Sequence, residues 1–387
     1  MDITKCRQLT LGLALVLAPQ DHASAETLDF VATQYTLGEA IGPLSIVVRD
    51  FNRDGLLDVV TANFDTNDIS LLLANRHGGF RDSRRFPVGQ EPRAMTTGDF
   101  NRDGIEDVAT ANSASGDVSV LLGRPAGLGF EKARFFRIDA FASDVATGDF
   151  NRDGRLDLVT VSAPAGEGIV SILLGRGTGR FRPVKTFLAG NPWSVAVDDF
   201  NRDGIEDLIT ADANPDYISV LFGNGDGSFQ PPQFFPTGEF PKRIVLGDFD
   251  RDGAPDAVTI NEESRDISIL FGNLDGSFQA PQSLHLGDFP SSVAVGDFNR
   301  DGALDLSAIT GDLDDDNVVV SLGNGDGSFH TPQFFSARAD TRSGVNQIAV
   351  GDFNRDGALD IVTTVSGFIS DTVVPYKISV LIQQKSQ

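Results

Sequence analysis

One short stretch of this sequence is dense in oxygen-bearing side chains: Asp-Phe-Asn-Arg-Asp-Gly-Leu-Leu-Asp at residues 50–58. Oxygen atoms fall at loop positions 1, 3, 5 and 9, and Gly55 occupies position 6. Glycine permits a sharp turn with positive φ, which can aim the carbonyl oxygen of position 7 toward the same centre. Hard oxygens at alternating loop positions are the ligands that Ca²⁺ prefers. The stretch therefore predicts a calcium loop.

This loop occurs seven times, at residues 50–58, 99–107, 149–157, 199–207, 248–256, 297–305 and 352–360. Successive copies start 49 or 50 residues apart, except for the last, which starts 55 residues after the sixth. We expect up to seven bound Ca²⁺ ions. The predicted ligands, with the position-7 residue contributing its carbonyl oxygen, are Asp50, Asn52, Asp54, Leu56, Asp58, Asp99, Asn101, Asp103, Ile105, Asp107, Asp149, Asn151, Asp153, Arg155, Asp157, Asp199, Asn201, Asp203, Ile205, Asp207, Asp248, Asp250, Asp252, Ala254, Asp256, Asp297, Asn299, Asp301, Ala303, Asp305, Asp352, Asn354, Asp356, Ala358 and Asp360.

Two other interpretations of the loop need weighing. An EF-hand loop has twelve residues, ends on a glutamate and lies between helices, whereas here the last carboxylate is at position 9 and the flanks resemble strands. A plain hairpin turn would also favour Asp, Asn and Gly. However, a turn does not require aspartate at both position 1 and position 9, and all seven copies have it. We therefore favour calcium binding over a plain turn.

The period of about 50 residues predicts the elements that position these loops. In the fourth copy, residues 194–197, 207–211, 217–222 and 229–235 read as four short strands, and the Gly-rich stretch 223–229 reads as the turn before the last. That turn has a second interpretation as another metal loop, but degraded copies elsewhere favour a hairpin. Four antiparallel strands repeated radially form a propeller blade. We predict an all-β fold, a seven-bladed β-propeller of four-stranded antiparallel blades, rather than an open β-solenoid.

The ends of the chain suggest how the ring closes. The seventh repeat stops after its third strand, at residues 378–382, whereas residues 28–38 read as a strand with no partner before it. We predict that this N-terminal strand pairs with Val380 and its neighbours and completes the seventh blade. In this alignment Phe30 corresponds to Phe229, and Gln34-Tyr35 corresponds to Gln233-Phe234. Closure would remove an exposed sheet edge.

Residues 1–25 resemble a secretory signal peptide. Lys5 and Arg7 precede an apolar run at residues 9–18, which is too short to span a bilayer, and residues 23–25 fit a cleavage site. We expect a protein that is secreted, extracellular or periplasmic, with one propeller domain at residues 26–387. The only cysteine, Cys6, lies before the apolar run, so we expect neither a disulfide nor thiol chemistry in the mature chain.

The charge narrows the classes of partner. The chain carries 31 Lys and Arg against 55 Asp and Glu, a formal net charge of −24. Such an excess disfavours nucleic acids and anionic membrane surfaces. No later segment of the sequence is apolar and long enough to cross a membrane. We expect a monomer.

The repeat resembles the FG-GAP or VCBS-type repeat, related to the propeller repeats of integrin α chains. The stretch at residues 247–253, Gly-Asp-Phe-Asp-Arg-Asp-Gly, with Asp256, carries the resemblance, as do its six counterparts. The resemblance covers roughly residues 28–382 and implies calcium in the loops and a partner on the propeller face. Unlike integrins, which have the motif in only some blades, all seven repeats here have it.

Function follows less directly from the sequence. We expect a calcium-binding module that recognises an extracellular protein or glycan. The alternative is an enzyme, a lyase or hydrolase acting on extracellular polysaccharide, but the acidic pairs are accounted for as calcium ligands. Two long segments, 339–346 and 367–376, should form a raised lip on the face without calcium. The candidate ligand-binding residues are Trp193, Arg342, Phe368 and Tyr376, the last two expected to be exposed.

Overall fold

The structure is a computed structural model that describes residues 27–76, 79–125, 129–138, 141–162, 168–311, 317–337, 343–369, 372–373 and 376–384. The predicted signal peptide, residues 1–25, lies outside the described residues. Within the described part all regular elements are β-strands, 29 in number. No helix in that part is long and apolar enough to cross a membrane.

The strands form seven antiparallel sheets, which are the blades of a propeller. Blade one contains β2 (Pro43–Arg49), β3 (Asp58–Asn63), β4 (Asp68–Leu72) and β5 (Arg84–Pro87). Blade two contains β6 (Pro92–Gly98), β7 (Asp107–Asn112), β8 (Asp117–Leu121) and β9 (Arg134–Arg137). Blade three contains β10 (Asp144–Gly148), β11 (Asp157–Ser162), β12 (Gly168–Leu173) and β13 (Lys185–Ala189). Blade four contains β14 (Pro192–Asp198), β15 (Asp207–Ala213), β16 (Asp216–Leu221) and β17 (Gln233–Pro236).

The remaining blades complete the ring and include the N-terminal strand. Blade five contains β18 (Pro241–Gly247), β19 (Asp256–Asn261), β20 (Asp266–Leu270) and β21 (Gln282–Leu284). Blade six contains β22 (Ser292–Gly296), β23 (Asp305–Thr310), β24 (Asn317–Ser321) and β25 (Gln333–Ser336). Blade seven contains β26 (Ser343–Gly351), β27 (Asp360–Ile369), β28 (Thr372–Val373), β29 (Lys377–Gln383) and β1 (Phe30–Thr36). The predicted seven-bladed, all-β propeller is confirmed.

Each blade has a first strand that contacts the first strands of its neighbours, and a fourth strand at the outer edge. The two middle strands of each blade are mostly buried, and in blade one β3 and β4 are buried along their whole length. They are buried because blades cover them on both faces, which explains their continuous run of apolar and small residues. The predicted calcium loops connect first strands to second strands, so they share one face of the disc. The connections from second to third strands lie on the opposite face.

The ring closes as predicted. β1 pairs antiparallel with β29, with Thr33 opposite Val380. The Gln384 N–H donates to the Asp29 carbonyl oxygen at 2.8 Å, as the Asn224 N–H donates to Ser228 in blade four. The first described strand is therefore the outer strand of the last blade, where it pairs with β29.

The predicted alignment of this strand was right at Phe30 and wrong by one residue further along. Phe30 pairs with Gln383 as Phe229 pairs with Gly223. In blade four an extra residue then interrupts the ladder before β17 begins at Gln233, which also breaks the predicted continuous strand 229–235. β1 has no such interruption. Tyr35 consequently takes the place of Phe235 rather than of Phe234.

Aromatic side chains join each blade to the next. Phe51 and Phe86 of blade one both contact Phe130 of blade two edge-on, at centroid distances of 5.6 and 5.3 Å. At the closure, Phe30 takes the place of Phe130 and packs against Phe298 and Phe335 of blade six. Edge-to-face pairs of this kind stabilise packing beyond the area that they bury. The 29 phenylalanines of the chain thus serve largely as inter-blade contacts.

A buried polar position near the end of the second strand differs between blades. In blade one Asn63 accepts a hydrogen bond from Thr61 and donates to Asp68 and Ser70. Blades two and five repeat this arrangement. Blade four has Asp212 in the same place.

The carboxylate of Asp212 is poorly satisfied. Its Oδ2 accepts hydrogen bonds from the Thr210 and Ser219 hydroxyls, whereas Oδ1 is buried with no hydrogen-bond partner among the described residues. Burial raises the pKa of Asp212 to about 6, and the hydroxyls of Ser219 and Thr210 together with the backbone of Asn191 offset only part of that effect. The adjacent Tyr217 also has a raised pKa, through its own burial and then through Asp212.

We predict that Asp212→Asn stabilises the protein at neutral pH. A carboxyl whose pKa is raised in the folded state favours folding when protonated, and this contribution is lost as pH rises from about 4 through 6. The amide avoids the buried charge and can keep bonds to Thr210 and Ser219, as Asn63 does to Thr61 and Ser70. Thermal unfolding in chelator should show a gain of about 2–3 kcal/mol at pH 7.5 and only about 1 kcal/mol at pH 4.5. Equal stability of the two proteins at pH 7.5 would contradict the assignment.

Candidate metal centres

Six of the seven loops share one full hydrogen-bond pattern built from the predicted ligand residues, and the fifth lacks only the bond from the N–H of position 5 to the side chain of position 1. In the first loop the Asp54 N–H donates to Oδ1 of Asp50 at 3.1 Å and to Oδ1 of Asn52 at 2.8 Å. The Gly55 N–H donates to the other oxygen of Asp50 at 2.7 Å, and the Leu56 N–H donates to Asp54 at 2.9 Å. Side chains at positions 1, 3 and 5 therefore turn inward over their own backbone. This brings their oxygen atoms to one side of a tight turn.

The turn requires two left-handed residues in every copy. The predicted Gly at position 6 has φ between 73° and 88°. The arginine at position 4 is also left-handed, with φ between 56° and 64°, and this was not predicted. A non-glycine residue in this region is uncommon, and seven equivalent occurrences indicate that the loop imposes the conformation. These arginines are Arg53, Arg102, Arg152, Arg202, Arg251, Arg300 and Arg355.

The aspartate at position 9 has a different role from the others. Asp58 is fully buried, and its Oδ2 accepts the Phe51 N–H at 3.0 Å while its Oδ1 accepts the Ala74 N–H at 2.8 Å. Ala74 begins the turn between the third and fourth strands of the same blade. The carboxylate therefore fastens the predicted calcium loop to that turn. The same pair of bonds occurs at Asp107, Asp157, Asp207, Asp256, Asp305 and Asp360.

The position-9 carboxylates are held in an environment that disfavours their charge. Burial raises the pKa of Asp58, Asp107, Asp157 and Asp256 to about 7, and of Asp207, Asp305 and Asp360 to about 6. Their backbone hydrogen bonds lower these pKa values, whereas the carboxylates at positions 1 and 5 (1 and 3 in the fifth loop) raise them by repulsion. A bound cation would relieve that repulsion.

The fifth loop fits a metal ion most clearly. Position 3 is Asp250, and ligand oxygens of Asp248, Asp250 and Asp256 lie within 4.8 Å of one another, the only such group among the described residues. Oδ1 of Asp248 is buried without a hydrogen-bond partner there, whereas its equivalent in the first loop, Oδ1 of Asp50, accepts the Asp54 N–H. A buried carboxylate oxygen without a donor is where a cation ligand is expected. An all-oxygen set with no imidazole or thiolate suits Ca²⁺ or Mg²⁺ rather than zinc.

The position-7 carbonyl groups remain a prediction. The N–H of this residue caps the position-5 aspartate, as Leu56 does for Asp54, so the residue lies in the turn as expected. In the third loop position 7 is Arg155, whose guanidinium lies 3.4 Å from the carboxylate of Asp153. This loop thus has an internal cation next to a predicted ligand.

A second candidate site lies on the face opposite the predicted calcium loops, where first strands begin. Trp193, predicted in a connecting loop, is the second residue of β14 and is half-buried. It packs against Phe240 at 6.0 Å, with the Lys242 ammonium 5.3 Å from the indole centroid. Phe141 and Phe289 occupy the position of Phe240 in blades three and six and are exposed. We call Phe141, Trp193, Phe240 and Phe289 the aromatic rim.

Two arginine side chains pack against phenylalanines of this rim. The Arg93 guanidinium lies between the rings of Phe64 and Phe141, at 5.0 and 4.9 Å from their centroids. The Arg265 guanidinium lies 4.1 Å from the Phe289 centroid. The rim phenylalanines were not predicted, although the dipeptide Phe-Pro at residues 240–241 and 289–290 recurs at the repeat spacing and could have revealed two of them.

The predicted lip is partly built from strands. β26 and β27 run past the length of their counterparts and pair there, Ser343 with Gly367, and β27 then pairs with β28. Arg342 lies outside the described residues, and only the backbone of Phe368 is described. Tyr376 was expected to be exposed, and this was wrong. It is 7% exposed and packs in the core between blades seven and one, near Leu37, because β1 covers it.

Comparison with known proteins places these features in context. A family model described as FG-GAP-like repeat matches residues 50–110, 99–160, 149–210, 199–259 and 252–308. No curated protein matches the chain. The seventh loop lies outside the matched ranges, but it has the same hydrogen bonds as the first.

Several solved structures have a similar fold. The structure of BBS1N in complex with ARL6DN, soaked with lead, has 11% identity and a TM-score of 0.62, with 93% of this chain and 98% of that chain covered. A functionally unknown protein from Desulfotomaculum acetoxidans DSM 771 has 14% identity and a TM-score of 0.57, covering 82% and 94%. The AfRom2 CNH domain has 9% identity and a TM-score of 0.53, covering 92% and 100%. At these identities the likeness concerns the fold.

The two kinds of aspartate should be separable by mutation. Asp107→Ala strands two buried backbone N–H groups, so we expect a loss of about 2–4 kcal/mol even in chelator. Asp103→Ala removes only an exposed cap and should cost less than about 1 kcal/mol in chelator. Urea unfolding of both variants without metal measures the difference. Similar losses for the two variants would contradict the fastening role of position 9.

Proposed function

The chain belongs to the FG-GAP-like repeat family, and from that premise we propose that it is a secreted, calcium-stabilised propeller. In this proposal the protein binds an extracellular protein or glycan through the face opposite its calcium loops. In this proposal the loops stabilise the propeller, and the aromatic rim binds the partner.

The arrangement of the fifth loop is the single observation that carries the calcium part. Three carboxylates converge there, and the buried Oδ1 of Asp248 lacks a donor. The other loops have an asparagine at position 3 and the same backbone turn. Bound Ca²⁺ would supply charge neutralisation and fixed coordination at each loop, and the loop residues would hold it through their side-chain oxygens. We expect the fifth loop to bind most tightly, because it has one more carboxylate than the others.

Calcium would contribute substantially to the stability of the ring. A site held at tenfold its dissociation constant contributes about 1.4 kcal/mol by mass action, or about 10 kcal/mol over seven sites. That sum is comparable to the net stability of a whole domain. Export to a calcium-rich compartment, as the residues 1–25 predict, would keep weak sites filled.

The exposure of the aromatic rim supports the binding part. Phe141 is 36% and Phe289 is 42% exposed, and both lie beside cations on a strongly acidic protein. Exposed aromatic rings next to polar groups suit stacking on sugars or on side chains of a partner. Furthermore, BBS1N, which has the same fold, was crystallised in complex with ARL6DN.

Chelation tests the calcium part. Protein loaded with verified calcium should lose many degrees of melting temperature in excess EDTA and regain them when calcium is returned. Calorimetric titration of Asp103→Ala should find about one ion fewer than the parent protein binds. Asp250→Asn, which gives the fifth loop the ligand set of the others, should weaken one site without removing it. An unchanged melting curve in EDTA would overturn this part.

The rim is tested by binding. The calcium-loaded protein should be screened on glycan arrays and on extracellular matrix proteins, with a polysaccharide depolymerisation assay alongside to detect an enzyme. Phe141→Ala with Phe289→Ala should weaken any captured ligand by about tenfold or more. Phe234→Ala is the matched control, because Phe234 is 53% exposed but lies on an outer strand. Equal loss in both variants, or none in either, would contradict the rim as the site.

A further inference from the structure

The left-handed arginine at position 4 reaches from its own loop to the loop of the next blade. Nη2 of Arg53 donates to the carbonyl oxygen of Asp103 at 3.4 Å. Arg251 donates in the same way to Asp301 at 3.2 Å, and Arg300 donates to Asp356 at 3.3 Å. The acceptor each time is the position-5 residue, a predicted calcium ligand. The contacts therefore run in one direction round the ring.

Two further interfaces have a related contact with position 6. Arg202 donates to the carbonyl oxygen of Gly253. The guanidinium of Arg355 lies so close to Gly55 that a Cβ added there would clash with it. Because Arg355 belongs to blade seven and Gly55 to blade one, the series continues across the closure. Loops one, two, five, six and seven are thus each contacted by the arginine of the preceding blade.

Loops three and four lack this contact. A Cβ added at Gly154 or Gly204 would have no neighbour within 4 Å. The arginines of the preceding blades, Arg102 and Arg152, instead direct their aliphatic carbons to the turns before the fourth strands, near Gly177 and Gly225. Five loops are therefore contacted by an arginine of the preceding blade, and loops three and four, which are not, serve as internal controls for the effect of that contact.

The contact also has an electrostatic component. Nη2 of Arg251 lies 3.7 Å from a carboxylate oxygen of Asp301, and Nη2 of Arg300 lies 3.6 Å from one of Asp356. Both arginines are about half exposed, so solvent screens these pairs. The hydrogen bond to the backbone carbonyl oxygen therefore restrains the turn more than the screened attraction between arginine and aspartate does.

We propose that Arg53, Arg202, Arg251, Arg300 and Arg355 are positioning residues, each holding the calcium loop of the following blade in its binding conformation. This inference rests on the proposed function, since it assumes that the loops take calcium. A donor to the carbonyl oxygen of position 5 or 6 restricts peptide units that adjoin two predicted ligands, the side chain of position 5 and the carbonyl oxygen of position 7. Restricting a loop before binding reduces the entropy that binding must remove. The effect of each arginine falls on the next loop and not on its own.

Calorimetric calcium titration of Arg53→Ala and Arg102→Ala tests this direction. Alanine at position 4 has the same left-handed strain as arginine, so the pair isolates the side chain. Arg53→Ala should weaken one site about two- to fivefold, as expected for an exposed charged hydrogen bond, and Arg102→Ala should leave all sites unchanged. Tighter binding in Arg53→Ala would mean that the cation repels calcium, which overturns the proposal.

Double variants identify the affected loop. Adding Arg53→Ala to Asp103→Ala, where loop two is already disabled, should produce no further loss. Adding it to Asp54→Ala, where loop one is disabled, should still weaken a site about two- to fivefold. The reverse result would assign the arginine to its own loop and overturn the proposal.

Hydrogen exchange without calcium separates this proposal from the calcium function. In EDTA, Arg53→Ala should speed amide exchange at Gly104 and Ile105 by about two- to fivefold while Gly55 and Leu56 stay unchanged. Faster exchange in a protein that binds no calcium would overturn the calcium function but support the positioning of loop two. Unchanged exchange, together with unchanged calcium affinity, would overturn the arginine proposal alone.

Discussion

The structure depends on the burial of the two middle strands of every blade between neighbouring blades. A single blade could not shield both faces of those strands from water, so the blades are stable only as a closed ring. Two phenylalanines of one blade pack against one phenylalanine of the next. In blade one they are Phe51, in the first loop, and Phe86, on the fourth strand, and both contact Phe130 of blade two. The pairing of β1 with β29 supplies the last of these contacts through Phe30. That ring also holds the predicted calcium loops in place.

Burial of the strands also dictates how each loop is built. The second strand begins at the position-9 aspartate, which is buried with both oxygens bonded to backbone N–H groups. A carboxylate there fastens two turns that no apolar residue could join. Its burial, and then its closeness to the carboxylates of positions 5 and 1, raise its pKa. Because this loop uses a carboxylate to accept its buried backbone N–H groups, it gains the negative charge that a cation would neutralise.

Much of the fold could be predicted because the repeat is short and strongly patterned. The period and the loop motif predicted the blades and the face on which the loops lie. The missing fourth strand of the last repeat predicted the closing strand. The one-residue error at Gln34 arose because the interruption in the outer strands of the other blades depends on local ladder geometry, which β1 does not share. Tyr376 was misjudged for a related reason: it follows a long connection, but β1 and the first blade cover it. The length of that connection gave no sign of the contact.

Features that join different blades were the hardest to predict. The sequence shows Arg53 beside Asp54, which suggests a solvated charge pair within one loop. In the structure the left-handed backbone turns Arg53 away from its own loop and toward Asp103, 50 residues later. The separation is one repeat, so the same residue types are both neighbours in sequence and neighbours across blades. In a ring of nearly identical units, a side chain that is uninformative within its own repeat can therefore act on the next one.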